Sequence, residues 1–248
     1  MQKETITVET YASVAIPHLE KLVVKNKAVM ERLAARLVAD VEAGRSLLVF
    51  GSGHSAMFPM ELYHRAGGAS FVIPVFADFL LPTAGPPVVR LFERTPGAAT
   101  AVLNRVEPKP GEMLWMASQS GINGAGVDLA IEAKKMGLFT VAFTSVVHSS
   151  AVKSRHPSGK RLFEVCDEVI DLGGFVGDAA IRISESVSAG PLSTLGTVLM
   201  GHSIVLAAAG QLERNGRSCI YTSVNTSEGE SRNKELEKKA QVRDFLLR

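Results

Sequence analysis

Two short stretches place hydroxyls and glycines where they could hold an anion. The first is "GSGHS" at residues 51–55 and the second "SQSGIN" at 118–123; each follows an apolar run and precedes a helix-like segment. Glycine lets a backbone approach an anion closely, and the first turn of a helix offers free N–H groups and a partial positive charge. Hydroxyls add donors that need no counter-charge, a combination that suits phosphate better than a carboxylate, which more often meets an arginine fork. Ser52, His54, Ser55, Ser118, Ser120, Gly121 and Asn123 are therefore the candidate phosphate-binding residues. The same residue types also make ordinary turns and helix caps. Two such loops, each with two hydroxyls, favour the anion site over the turn.

Acid–base groups lie close to the first loop. Glu61 and His64 stand three apart in "PMELYHRAGG", a spacing that puts both on one helix face, and His54 sits in the loop before them. A partly buried glutamate with a raised pKa is a competent base near neutral pH. The alternative is a solvated Glu61 paired with His64 or Arg65. Further along, "TSVVHSSAVKSRHPSGKR" (144–161) is long, polar and basic. A lid closing on an anion has this composition, and so does an exposed loop without a role; Lys153 and His156 are the candidate lid residues. Glu185 and a helix start at Ser193–Thr194 are candidates for the opposite wall of the site.

The elements that must position these groups follow from hydrophobic patterning. Leu19, Leu22, Val23, Val29, Leu33, Leu37 and Val41 recur at helical spacing, so residues 11 to about 43 read as one or two helices, with Pro17 at a break or in a first turn. Five apolar runs then alternate with helix-like segments: "SLLVF" (46–50), "SFVIPVF" (70–76), "EMLWMA" (112–117), "LFTVAF" (138–143) and "DEVIDL" (167–172). Continuous rather than alternating apolar strands imply a parallel sheet buried on both faces. The expected fold is α/β, a three-layer sandwich. A long proline-rich connection, "ADFLLPTAGPP", follows the second run. After "SQSGIN" the pattern gives a helix with Asp128, Glu132 and Lys135 on a polar stripe and Val127, Ala130 and Ile131 inward. A late apolar helix has Pro191 in its first turn and Gly216 past its end, and a charged tail closes the chain. The unit 1–248 divides into an N-terminal helical segment (5–44), a core (45–215) and a tail (216–248).

Composition sets the bounds. With 248 residues, 46% hydrophobic, 21% charged and net charge +2, the chain is an ordinary globular protein with no nucleic-acid or membrane signature. "MQKETITVET" lacks the apolar centre of a signal peptide, and "SIVLAAAGQL" is too short to span a bilayer, so a cytoplasmic protein is expected. Cys166 and Cys219 form no paired motif and the six histidines are scattered, so neither metal nor other cofactor is expected.

"MASQSGINGAGVDLAIEAKKMGLFTVAFTS" resembles the central signature of the sugar isomerase (SIS) domain family. The resemblance extends back through "VFGSGHSAMFPMELYHRAGG" and forward through "SSAVKSRHPSGKRLFEVCDEVIDLG". It is strongest toward single-domain members comparable with bacterial phosphoheptose isomerase. It implies a five-stranded parallel sheet between helices that binds a sugar phosphate, in a dimer or tetramer with sites near subunit contacts. Carried over to this chain, the phosphate-contacting positions fall on Ser55, Ser118, Ser120 and Asn123, the last replacing a serine. Ser145, at the Thr-Ser end of the fourth run, joins them. The catalytic glutamate falls on Glu61. The second catalytic group, a late-helix histidine, has no direct counterpart: Gly196 or Thr197 holds its place, and His202 lies about a turn further on.

Aldose–ketose isomerisation through an enediol needs a base beside the carbonyl and an acid for the oxygens. Glu61, with His64, supplies the candidate groups. The alternative is a sensor that binds a sugar phosphate without turning it over. A more distant one is a dinucleotide site, since "GSGHSA" fits G-x-G-x-x-[GA]; Asp78, however, lies far past Gly51 for a ribose contact.

Overall fold

The apolar runs become strands because each can bury both of its faces. The computed structural model describes residues 5–239; the first four residues and the last nine of the charged tail lie outside the described residues. Its strands are β1 (Leu47–Gly51), β2 (Val72–Val75), β3 (Met113–Ala117), β4 (Phe139–Thr144) and β5 (Glu168–Asp171). They pair in the order β2-β1-β3-β4-β5, every neighbour parallel. A two-stranded hairpin, β6 (Ile181–Arg182) and β7 (Ser188–Ala189), stands apart.

The helices are α1 (Thr10–Glu42), α2 (Met57–Leu62), α3 (Pro86–Arg94), α4 (Thr100–Arg105) and α5 (Gly124–Lys135). They continue with α6 (Val146–Ala151), α7 (Leu162–Val165), α8 (Ser193–Arg214) and α9 (Gly229–Lys239). Alternate strand residues feed two cores. Leu47, Val49, Trp115 and Phe143 pack under α1, α2 and α8 through Leu33, Leu37, Phe58 and Met200. Leu48, Phe50, Leu114 and Met116 pack under α4 and α5 through Leu103, Leu129 and Ala133. Trp115 lies between Phe58, stacked at 6.3 Å, and Phe143 at 5.3 Å. The result is the three-layer α/β/α sandwich expected from the sequence.

Several boundaries differ from the sequence reading. Pro17 breaks nothing: α1 runs through it for 33 residues, and because Pro17 is exposed, water can serve the carbonyl it leaves unpaired. The proline-rich connection holds α3, with Pro86 and Pro87 starting it. Pro191 precedes α8 instead of lying in its first turn. On α5, Leu129 takes the buried place expected for Ile131, which is half-exposed. Within a helix of 22 residues, the late apolar run belongs to an element long and apolar enough to cross a membrane, yet half of that stretch is buried in this fold. There it packs on α1 and α2.

The site-bearing edge is fixed by a clamp between α1 and β5. Asn26 donates to the Asp171 carbonyl at 3.0 Å and accepts from the Asp171 N–H at 2.9 Å. The Asp171 carboxylate takes Lys25 Nζ at 2.6 Å and the N–H groups of Val146 and Gly173 at 3.0 and 2.9 Å. Burial alone would raise this carboxyl, but the bonds from Lys25, Gly173 and Val146 outweigh it and hold its pKa below the ordinary value. A carboxyl depressed in the folded state stabilises above its unfolded pKa and loses that contribution as pH falls through the folded one. Asp171→Asn is therefore expected to cost about 1–3 kcal/mol at neutral pH in denaturant unfolding. The gap to wild type should narrow as the pH falls below about 4.

Candidate functional site

The two glycine-serine loops meet because β1 and β3 are in register. Gly51 pairs with Ala117 at the carboxyl end of both strands, so Ser52 and Ser118 leave the sheet side by side. The chain then turns so tightly that a Cβ at Gly51 would lie 2.1 Å from the Ser55 carbonyl oxygen. Gly121, at φ +59°, faces the Thr144 hydroxyl, 2.8 Å from where its Cβ would stand. Both positions accept only glycine.

The hydroxyls divide by use. Ser118 Oγ accepts from the Gly121 N–H at 3.1 Å, and buried Ser145 caps α6 by accepting from the His148 N–H at 3.1 Å; these two serve turn and cap. Ser52 and Asn123 stand at helix starts, where both would be favoured caps, yet neither side chain makes a cap bond. The hydroxyls of Ser55 and Ser120 have no hydrogen-bond partner among the described residues. Ser55 shares a void with His54, Gln119, Ser193, Thr194 and Thr197, so the helix start at Ser193 does reach the site. Asp178 binds that start through the Leu192 and Ser193 N–H groups, both at 3.1 Å. Glu185 is exposed on the turn between β6 and β7. A second void lies among Ser52, Ser118, Gly121 and Asn123. Each measures about 10 Å³, room for one water.

Glu93 was not foreseen. It lies near the end of α3, and its carboxylate bridges the two loops: Ser52 Oγ donates to Oε1 at 2.8 Å and Asn123 Nδ2 to Oε2 at 3.3 Å. The other end of the Asn123 amide accepts from Arg155 at 2.8 Å. The only sequence signal was a carboxylate closing the helix "PPVVRLFER", hidden by its prolines. A further anion on the same donors would meet Glu93 with a repulsion of about 4 kcal/mol per unit charge at 4 Å, for an effective dielectric of 20.

The basic segment after β4 is fastened over the second loop. Arg155 N–H bonds the Ile122 carbonyl at 2.9 Å and Leu162 N–H that of Gly121 at 2.8 Å. Arg161 reaches back to the Ser149 carbonyl at 2.7 Å. His156 is an anchor in this strap: Nε2 bonds Asp128 at 2.6 Å and Nδ1 bonds Ser158 at 2.7 Å. Asp128, expected on a solvated stripe, also takes the Gly97 N–H at 2.7 Å. Lys153 is exposed.

Glu61 is half-buried on α2, bonded by Arg65 and by His202 Nε2 at 3.3 Å. His64 does not share its helix face. Because α2 ends at Leu62, His64 turns away at φ +36° and meets Glu237 of α9 at 2.9 Å and the Tyr221 ring at 4.7 Å. His202, a turn beyond the expected position, reaches Glu61 because α8 crosses α2, while Thr197 is buried with its hydroxyl on the Ser193 carbonyl. Thiol chemistry is disfavoured: burial pushes Cys166 up to about 12 and Cys219 up to about 11. Among the described residues no three His, Cys, Asp or Glu side chains converge as a metal site.

A five-stranded parallel sheet with hydroxyl-bearing loops at the ends of adjacent strands matches one family model, described as the SIS domain, over residues 10–145. The chain belongs to the SIS domain family. A UPF0309 protein of Shouchella clausii is 35% identical over 92% of this chain and 94% of its own. Among solved structures, a phosphoheptose isomerase from Francisella tularensis is similar at TM-score 0.55 and 14% identity, covering 81% of this chain and 95% of that one. A phosphoheptose isomerase from Neisseria gonorrhoeae is similar at TM-score 0.50 and 12% identity, covering 82% and 100%. At these identities the likeness is one of fold.

The strap supplies a test of the geometry. His156→Ala removes both ring bonds and should lower stability by about 1–3 kcal/mol. Hydrogen exchange at the Arg155 and Leu162 amides should accelerate more than exchange in β3. Unchanged protection there would show that His156 does not anchor the strap.

Proposed function

We propose that the protein binds a sugar phosphate across the β1 and β3 loops and isomerises it between aldose and ketose through an enediol. The observation that carries the reading is the pattern of spent and unspent donors. Ser55 and Ser120 stand beyond the ends of adjacent parallel strands with hydroxyls free for a ligand, and Asn123 offers an amide that no cap uses. This is where open α/β sheets bind ligands. The phosphate rests on Ser55, Ser120 and Asn123, and on Ser118, whose hydroxyl accepts from the Gly121 N–H and keeps its own proton to donate. The names of the phosphoheptose isomerases that share the fold agree with such a substrate.

Catalysis falls to Glu61. As base it takes the proton from the carbon beside the carbonyl and returns it to the neighbouring carbon. His202, 3.3 Å from Glu61, moves the hydroxyl proton between the two oxygens. Arg65 bonds the same carboxylate.

Self-association also has support. Val23, Ile204 and Ala207 line a groove of about 250 Å³ between α1 and α8, and Val24 and Leu206 on the same helices are exposed. A second copy covers this surface in the proposed homo-oligomer. Val24→Glu with Leu206→Glu should lower the mass found by sedimentation to that of one chain; a wild type already at that mass would end the idea.

The central test combines binding and exchange. Sugar phosphates, but neither free sugars nor NAD, should raise the melting temperature, and Ser120→Ala should remove the shift. Stabilisation by NAD alone would refute the site assignment. With a bound sugar phosphate in deuterated water, wild type should exchange the carbon-bound proton, and Glu61→Gln should slow this by about 10²-fold or more. Binding without any exchange would identify a sensor instead.

A further inference from the structure

We propose that Glu93 is an internal anion occupying the phosphate place of this site, and that a phosphate-bearing ligand binds by displacing it. The inference rests on the phosphate site proposed above and deepens it. Glu93 takes one donor from each loop, Ser52 at 2.8 Å and Asn123 at 3.3 Å. A carboxylate has the charge and acceptor geometry of part of a phosphate, so it completes a site built from donors. Ser52 and Asn123, the two donors that Glu93 takes, line the void of the second loop, which at about 10 Å³ has room for one water and not for a tetrahedral anion.

Gly53 makes the approach possible. A Cβ there would stand 3.1 Å from Glu93 Oε1. Of the nine residues of the α3 helix only Val89 is buried and Val88 and Leu91 are exposed, while Phe92 holds the helix by packing on Phe79 at 4.6 Å. Gly85 and Gly97, both at positive φ, flank it and can absorb a pivot.

Displacement exchanges charges. Asn123 and Ser52 pass from Glu93 to the ligand, and Arg155, 2.8 Å from the other end of the Asn123 amide, then stands beside the incoming anion. A neutral sugar offers nothing that competes with a tethered carboxylate on these donors. A phosphate brings more acceptor oxygens and more charge. The site therefore opens for phosphate-bearing ligands and stays closed to their unphosphorylated counterparts.

The test uses inorganic phosphate as probe, titrated calorimetrically into the full chain. Glu93→Gln and Glu93→Ala should each bind it about tenfold more tightly than wild type or better, and adding Ser120→Ala to Glu93→Ala should abolish the gain. A gain in the glutamine variant alone would credit its new amide donor and overturn the proposal. Equal or weaker binding in both variants, with wild-type binding still dependent on Ser120, would overturn the displacement and leave the phosphate site standing. No binding by wild type or either variant would overturn both. Wild type supplies a readout that no variant's folding can confuse: saturating phosphate should accelerate amide exchange across residues 89–94. Unchanged or slower exchange there with phosphate bound would also overturn the displacement.

Discussion

The pairing of Gly51 with Ala117 is the constraint on which the site depends. Parallel strands lie about 4.8 Å apart, so two loops leaving the last rung of β1 and β3 must share one patch of space. Everything above the sheet is arranged around that contact. Thr144, the last residue of β4, donates to the Gln119 carbonyl at 3.3 Å, and the Ser145 N–H bonds the same oxygen at 3.1 Å. The second loop is thus supported from below by the next strand and from above by the strap. Slipping β1 by one residue against β3 would exchange the two cores as well as separate the loops.

Charge around the loops is arranged symmetrically about the sheet. On one side α2 presents Glu61, held by Arg65 and His202. On the other α3 presents Glu93, held by Ser52 and Asn123, with Arg155 one amide away. Two carboxylates therefore flank a cluster of neutral donors, each within reach of an arginine.

The strand pattern was legible because burial on both faces leaves unbroken apolar runs, and the loops were legible because glycine and serine have few other reasons to cluster there. Glu93 was not, since its partners lie 41 and 30 residues away and no local pattern encodes such a contact. Pro86 and Pro87 misled for a related reason: proline signals a break in the chain, yet in a first turn it starts a helix. His64 was misplaced by one short helix ending early at Leu62. A three-residue spacing means a shared face only while the helix lasts. His202 stands a turn too far along its helix to be read from sequence as a partner of Glu61, a distance that the crossing of α8 over α2 makes up.

Trp115 is the single indole of the chain, fully buried in β3 and two residues before the rung at Ala117. Its ring packs on Phe58, which belongs to the same short helix as Glu61. The protein thus contains one native tryptophan fluorophore, placed beneath the β1 and β3 loops. Its emission reports on a single environment, undiluted by other tryptophans, so movement of α2 against the sheet has an optical signature that needs no label.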